Sequence, residues 1–161
     1  MALEIEKLLD ETGWHLLAEV QDNARLSFSE LGQRVGLSSP AVAERLRKME
    51  EVGIITGYHA EVNTVALGLP VIAVIRLSSI PGQNVSRATA AVTMIPAVVE
   101  CYRVTGGDSI IFTVVAANVD HLEKIIDEVT EYGTPTTSLV LSNPRKRRTI
   151  TSVMLPEEPV C

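Results

Sequence analysis

Aromatic residues make up only 4% of this 161-residue chain, and cysteine occurs twice, at Cys101 and Cys161. One cysteine lies inside a strand pattern and the other at the last position, which is neither a disulfide framework nor a metal-ligand spacing, so both are expected as reduced thiols. His15, His59 and His121 stand far apart, without cysteine or paired carboxylates at ligand spacing. That pattern argues against a metal site, and nothing in the chain calls for a cofactor. No apolar run approaches the ~18 residues a membrane span needs. The start, Met1-Ala2-Leu3-Glu4-Ile5-Glu6, has neither the basic nor the apolar region of a signal peptide. A cytoplasmic protein with no membrane partner is expected. An excess of positive charge is missing too: the chain carries a net charge of −6, whereas nonspecific nucleic-acid binders usually show a basic surface.

What is present is apolar: 46% of residues are hydrophobic, enough for packed sheets and helices rich in Val, Ile and Leu. The length suits two domains of about 60 and 90 residues. A unit of about 60 residues buries only about 60% of its unfolded surface, so the smaller would be marginal alone. The expected division is a first domain over residues 1–62, a linker over 63–70, a second domain over 71–148 and a tail over 149–161.

Residues 27–59 carry the most specific local pattern. Ser27-Phe28-Ser29-Glu30 has the S-x-x-E spacing in which a hydroxyl and a carboxylate satisfy each other's orphan backbone donors at a helix start. Leu31 and Val35 recur four apart, and Gly36 supplies the left-handed residue that favours a helix stop. After a sharp turn, Ser38-Ser39-Pro40 opens a second helix with Val42, Leu46 and Met49 in one apolar stripe. Ser39, Ala41, Arg45 and Lys48 lie off that stripe. The pair reads as a helix-turn-helix. Small residues in the first turn would let the second helix seat in a major groove about 12 Å wide, with the later cations reaching base edges or phosphates. Arg45 is the expected main base-edge or phosphate contact, Ser38 and Ser39 are expected phosphate anchors, and Arg47 and Lys48 backbone clamps. An ordinary solvated amphipathic helix would share many of these features.

The charges are unevenly spread. Residues 1–60 hold six Lys/Arg against ten Asp/Glu, yet seven of those acids precede the second helix, whereas residues 38–48 carry Arg45, Arg47 and Lys48 against Glu44. A positive groove-facing patch is therefore expected. Trp14, Leu16, Leu17 and Val20 follow Asp10-Glu11-Thr12 at helical spacing and predict a bracing helix. Beyond Gly53, the β-prone runs 54–56 and 58–62 predict a wing or connecting strand, and Gly68 and Pro70 mark the linker.

Past Pro70, strands and helices alternate. Residues 71–77 are a short, nearly continuous apolar run that suits a buried strand. Val85, Ala88, Val92 and Ile95 stand at helical spacing. Residues 98–105 and 109–116 read as strands around Gly106-Gly107-Asp108, Leu122 to Val129 as a helix, and 136–141 as the last strand. The order is a ferredoxin-like βαββαβ, which makes the whole chain α+β: a winged helix-turn-helix followed by a ferredoxin-like domain. Arg145-Lys146-Arg147-Arg148 is the densest basic run and reads as a solvated tail.

With these elements in place, the chain resembles the Lrp/AsnC transcription regulators. The matching stretches are Leu9-Asp10, Asn23-Ala24-Arg25-Leu26-Ser27, Val35-Gly36-Leu37-Ser38 with Arg45, Gly57-Tyr58, Glu100-Cys101-Tyr102-Arg103-Val104-Thr105-Gly106, and Tyr132-Gly133 with Thr136-Thr137-Ser138. The resemblance implies an amino-acid-sensing second domain that makes dimers and assemblies of dimers, with the effector near the loop between the second and third strands. Here that loop is Thr105-Gly106-Gly107-Asp108-Ser109. Glycines without Cβ atoms let backbone N–H groups approach a carboxylate, and Asp108 could pair with an α-amino group. Gly-Gly-Asp is equally good chemistry for a tight turn. Many family members carry an acidic residue one position later, where this chain has Ser109. Thr136, Thr137 and Ser138 offer further hydroxyls, although β-propensity also accounts for threonine there.

The function this implies is a sequence-specific regulator of double-stranded DNA, homo-oligomeric, modulated by an amino-acid effector, and not an enzyme. An architectural DNA-organising protein is the alternative. A tetrapyrrole decarboxylase-like enzyme on the same fold is a further one, disfavoured by the scattered histidines.

Overall fold

Helices fill the first third of the chain and a helix-backed sheet fills most of the rest, as the change in hydrophobic period requires. The computed structural model describes residues 2–79, 82, 84–145 and 148–155, with side chains from residue 5 onward. Lys146, Arg147 and Cys161 lie outside the described residues. Two units separate: residues up to 60 with the described part of 145–155, and residues 61–144.

The first unit contains α1 (Ala2–Leu8), α2 (Glu11–Asp22), α3 (Phe28–Val35) and α4 (Ser39–Glu51). Asp10 caps α2, its Oδ1 accepting from the Gly13 N–H at 2.7 Å. The Ser27 hydroxyl accepts from the Glu30 N–H at 3.2 Å while the Ser27 N–H donates to the Glu30 carboxylate at 2.8 Å, the reciprocal box that the S-x-x-E spacing predicts. Gly36, at φ +72°, ends α3. Leu16, Val20, Leu31, Val42, Leu46 and Met49 form the core. Helix α1 was not foreseen, because seven residues are too few for an apolar period to stand out, and a helix that short persists only by packing.

One expectation needs correction here. Residues 54–60 form no strand, so the described residues contain no wing. Ile54 and Ile55 instead donate their N–H groups to the Met49 carbonyl at 2.8 and 3.1 Å and pack on the core, leaving no second strand to pair with. In the same unit the Gln21 side-chain amide donates to the Ile150 carbonyl and accepts from its N–H, each at 3.0 Å.

The second unit is β1 (Val71–Ser78), α5 (Val85–Thr93), β2 (Val98–Arg103), β3 (Ile110–Ala116), α6 (Val119–Thr130) and β4 (Thr134–Leu139). This is the expected βαββαβ order. The strands form one antiparallel sheet in the order β2-β3-β1-β4. β4 begins two residues earlier than the sequence suggested, directly after Gly133. A Cβ on Gly133 would stand 2.6 Å from the Ser78 carbonyl, so only glycine lets the chain enter β4 this close to β1.

Register assigns the two faces. Ala73, Ile75, Leu77, Ile110, Phe112 and Val114 lie under Ala88 and Val92 of α5 and Leu122, Ile125 and Val129 of α6. The alternate residues occupy the other face in rows: Tyr102, Ile111, Arg76 and Thr136, then Glu100, Thr113, Val74 and Ser138. These residues are half-buried or exposed. This face mixes apolar Ile111 and Val74 with polar and charged residues, and among the described residues no helix of its own unit backs it.

Candidate nucleic-acid interface

Helix α4 presents Pro40, Ala41, Glu44, Arg47, Lys48 and Glu51 to solvent and turns Val42, Leu46 and Met49 inward. Ser38 caps it, with Oγ accepting from the Ala41 N–H at 3.4 Å. The hydroxyl proton is then free to donate outward; Pro40 carries no N–H and the Ala41 N–H is taken by Ser38, which leaves the Ser39 N–H as the first-turn backbone donor. Ser39 is half-buried and Ala41 exposed beside it. The helix start therefore offers small side chains and donors, as expected for a segment that approaches a phosphate backbone.

Its cations differ from expectation. Arg45 does not project from the helix: its side chain is only 19% exposed and its guanidinium faces the end of α1. There Nη2 donates to the Lys7 and Leu8 carbonyls at 3.4 and 3.3 Å and pairs with the Asp10 carboxylate. The Asp10 carboxyl is held below the usual range, first by Arg45 and then by the Gly13 N–H. Arg45 thus ties α4 to the α1–α2 junction. Gly13 belongs to the same junction, because a Cβ there would sit 1.8 Å from the Leu8 carbonyl oxygen. Sequence reasoning placed Arg45 off the apolar stripe, which is correct, but a long side chain at the border of a stripe can fold back to a neighbouring element.

The expectation of a positive patch is also corrected. Arg47 is gripped by Glu44, whose oxygens lie 2.7 Å from Nη2 and 2.9 Å from Nε, and it pairs with Glu51 as well. Lys48 Nζ lies 3.4 Å from the same Glu44. Arg47 draws the Glu44 carboxyl down to about 2. Glu50 accepts from the Tyr58 hydroxyl at 2.7 Å, and burial followed by that carboxylate pushes the phenol up to about 12. All three cations of α4 are paired with carboxylates. The spacing of Glu44 and Glu51 to Arg47, at i+3 and i+4, was the available signal for this.

In the second unit, the 104–109 loop closes with the Val104 N–H donating to the Ser109 carbonyl at 3.1 Å and the Ser109 N–H to the Leu77 carbonyl at 2.9 Å. Gly106 needs its positive φ of +114°, and open space surrounds both Gly106 and Gly107. The Asp108 carboxylate accepts from the Ser78 hydroxyl at 2.9 Å, and the Ser109 and Ser79 hydroxyls bond each other. Thr105 is exposed. The three hydroxyl residues of β4 do not share one surface. Thr136 and Ser138 lie on the open sheet face, whereas Thr137, paired with Ile75, falls on the helix-covered one. Strand alternation forces that split.

Residues 9–50 match the AsnC-type helix-turn-helix domain and residues 71–150 the Lrp/AsnC ligand binding domain. The chain belongs to the Lrp/AsnC family. Among its relatives in that family, an uncharacterized HTH-type transcriptional regulator of Bacillus subtilis, YezC, is 41% identical over 84% of this chain and 95% of its own. The solved structure of B. subtilis LrpC superposes with a TM-score of 0.80 at 29% identity, covering 86% of this chain and 99% of that one. A feast or famine regulatory protein from M. tuberculosis, complexed with L-methionine, gives 0.81 at 28% identity over 88% and 99%. As an Lrp/AsnC protein, the chain is a DNA-binding transcriptional regulator and not an enzyme, and its second unit is the family's ligand-binding domain.

The position of Arg45 yields a prediction. Arg45→Ala should lower the melting temperature of the first unit by roughly 5–15 °C, from about 1–3 kcal/mol of lost charge-assisted bonds, discounted because Asp10 is 54% exposed. The salt dependence of DNA binding should keep its slope. A slope shallower by about one phosphate's worth, with an unchanged melting temperature, would instead make Arg45 a backbone contact.

Proposed function

We propose that the protein binds a two-part operator as a homodimer and that an amino acid, bound at the 105–109 loop, modulates this binding. The carrying observation is the capped start of α4, with the small residues Ser38, Ser39 and Ala41, set on a packed three-helix core. Arg47 and Lys48 would join the phosphate contacts once released from Glu44. Two such helices related by a twofold axis would read half-sites about 34 Å apart or a multiple of that, so the operator should be roughly palindromic.

The open face of the sheet supports the dimer, since its rows of Val74, Thr113, Ile111 and Ile72 lack a backing helix within the unit. For the effector, support comes from the relative complexed with L-methionine and from the unobstructed backbone at Gly106 and Gly107. Asp108 is the candidate partner of an α-amino group, and Ser109, Thr105, Thr136 and Ser138 are candidate polar neighbours. Thr137 faces away from the last two. A regulator whose target is chromosomal DNA is placed in the cytoplasm on this reading. Purely architectural compaction is disfavoured by the paired charges of α4, because nonspecific binding draws almost wholly on free cations.

A gel-shift titration on the DNA upstream of the protein's own gene, repeated across the amino acids, tests the whole reading. We expect a preference for that DNA over scrambled duplex and at least one amino acid that shifts affinity about fivefold or more. Equal binding to scrambled duplex would sink sequence-specific regulation. A flat response to every amino acid would sink the effector assignment alone.

A further inference from the structure

We propose that Glu44 is a specificity-determining residue of the recognition helix, one that withholds Arg47 and Lys48 from DNA phosphates and so suppresses binding to nonspecific duplex. The inference rests on α4 being the DNA-contacting helix. It begins from an inventory of charge on that helix: Arg45, Arg47 and Lys48 stand against Glu44, Glu50 and Glu51, which sums to zero. Arg45 is consumed by Asp10 and the α1 carbonyls. Only Arg47 and Lys48 remain exposed, and one carboxylate reaches both.

Glu44 engages Arg47 in a two-point fork, with 2.7 Å to Nη2 and 2.9 Å to Nε, and its Oε1 stands 3.4 Å from Lys48 Nζ. A guanidinium offers the same fork to a phosphate that it offers to a carboxylate. A passing DNA strand must therefore displace Glu44 before it gains Arg47. On nonspecific duplex the only return is counterion release, and each retained carboxylate subtracts from it. On the operator, base-edge and shape contacts made by the start of α4 add to the return, so the exchange goes forward. Glu51 holds Arg47 as well but has no bond to Lys48; Glu50 is occupied by Tyr58. The hub is Glu44. Because a genome offers about 10⁶–10⁹ competing sites, weak nonspecific binding matters as much as tight operator binding.

The test compares the full-length protein with Glu44→Gln and Glu51→Gln. Glu44 is half exposed, and glutamine keeps its size and an acceptor oxygen, so folding is not at stake. Two duplexes are used: a random-sequence one, and the tightest binder selected from a random library with the unaltered protein. For Glu44→Gln we expect binding to random duplex to strengthen on the order of tenfold at low salt. Its log–log salt slope should steepen by about one to two phosphate equivalents. The selected duplex should gain less, so the specificity ratio falls, and Glu51→Gln should show a smaller change in the same direction. Random-duplex affinity and slope unchanged in Glu44→Gln would overturn the proposal. Weaker binding confined to the selected duplex would also overturn it, making Glu44 a direct base contact instead. Absence of duplex binding by the unaltered protein would remove the DNA reading itself, an outcome distinct from both.

Discussion

If the proposed homodimer packs through the open sheet face, Val74→Asp is expected to leave the protein monomeric and to cut operator affinity by about 10²–10⁴. Val74 sits mid-sheet on β1, between Thr113 of β3 and Ser138 of β4, on the face that α5 and α6 leave open. If two such faces pack together, the strands stack about 10 Å apart and interdigitate their side chains. A carboxylate at the centre would then be buried without a partner, which costs several kcal/mol per ion. In the isolated subunit the same carboxylate reaches water, so the fold should survive. The affinity loss follows from valency: a monomer forfeits the effective concentration that brings a second recognition helix to its half-site. Light scattering after size-exclusion chromatography measures the mass, and circular dichroism checks that the sheet persists. A folded variant that stays dimeric would show that this face is not the dimer contact.

Gly32→Ala should unfold the first unit near physiological temperature while the second stays folded. Helix propensity alone gives the opposite sign, since alanine inside a helix is favoured over glycine by about 1 kcal/mol. Geometry decides against propensity. Gly32 is buried in α3 beneath the turn into α4, and a Cβ there would lie 2.3 Å from the Leu37 carbonyl oxygen. That oxygen belongs to backbone held in place: the Leu37 N–H donates to the Gly32 carbonyl at 2.9 Å, and Ser38 next to it caps α4. The turn must open, which shifts Leu31 relative to Leu46 and Met49 in the core. Overpacking of this kind costs about 1–3 kcal/mol, more where backbone must move. A unit of this size has only about 3–5 kcal/mol to lose. Thermal melts followed by circular dichroism should show an early helical transition absent from the unaltered protein, together with loss of DNA binding. A variant as stable as the parent would refute the steric account.

Both variants test features at opposite ends of legibility. The strands that carry the open face follow from the runs 71–77 and 109–116, though a nearly continuous apolar run marks neither face of β1 as open. Which alternate residues face the helices was settled by register, because a one-residue slip would exchange them. The steric role of Gly32 was not legible at all. Mid-helix glycine is a neutral or unfavourable signal until the chain five residues later is seen to close over it.

Some features were local and therefore written in the chain. The Ser27–Glu30 box, the stop at Gly36, the stripe of Val42, Leu46 and Met49, and the βαββαβ order each depend on residues a few positions apart, and each formed where its spacing placed it. The Lrp/AsnC membership could be drawn from the same motifs. Tertiary structure decided what long side chains and chain ends do: Arg45 turned inward to Asp10 across 35 positions, and Gln21 secured Ile150 across 129. It also kept residues 54–60 out of any strand, and divided Thr136 from Thr137. The physical reason is common to all of them. Caps and periodicities are satisfied within one or two turns of backbone, whereas a guanidinium, a side-chain amide or a strand edge takes whichever partner the folded chain delivers to it.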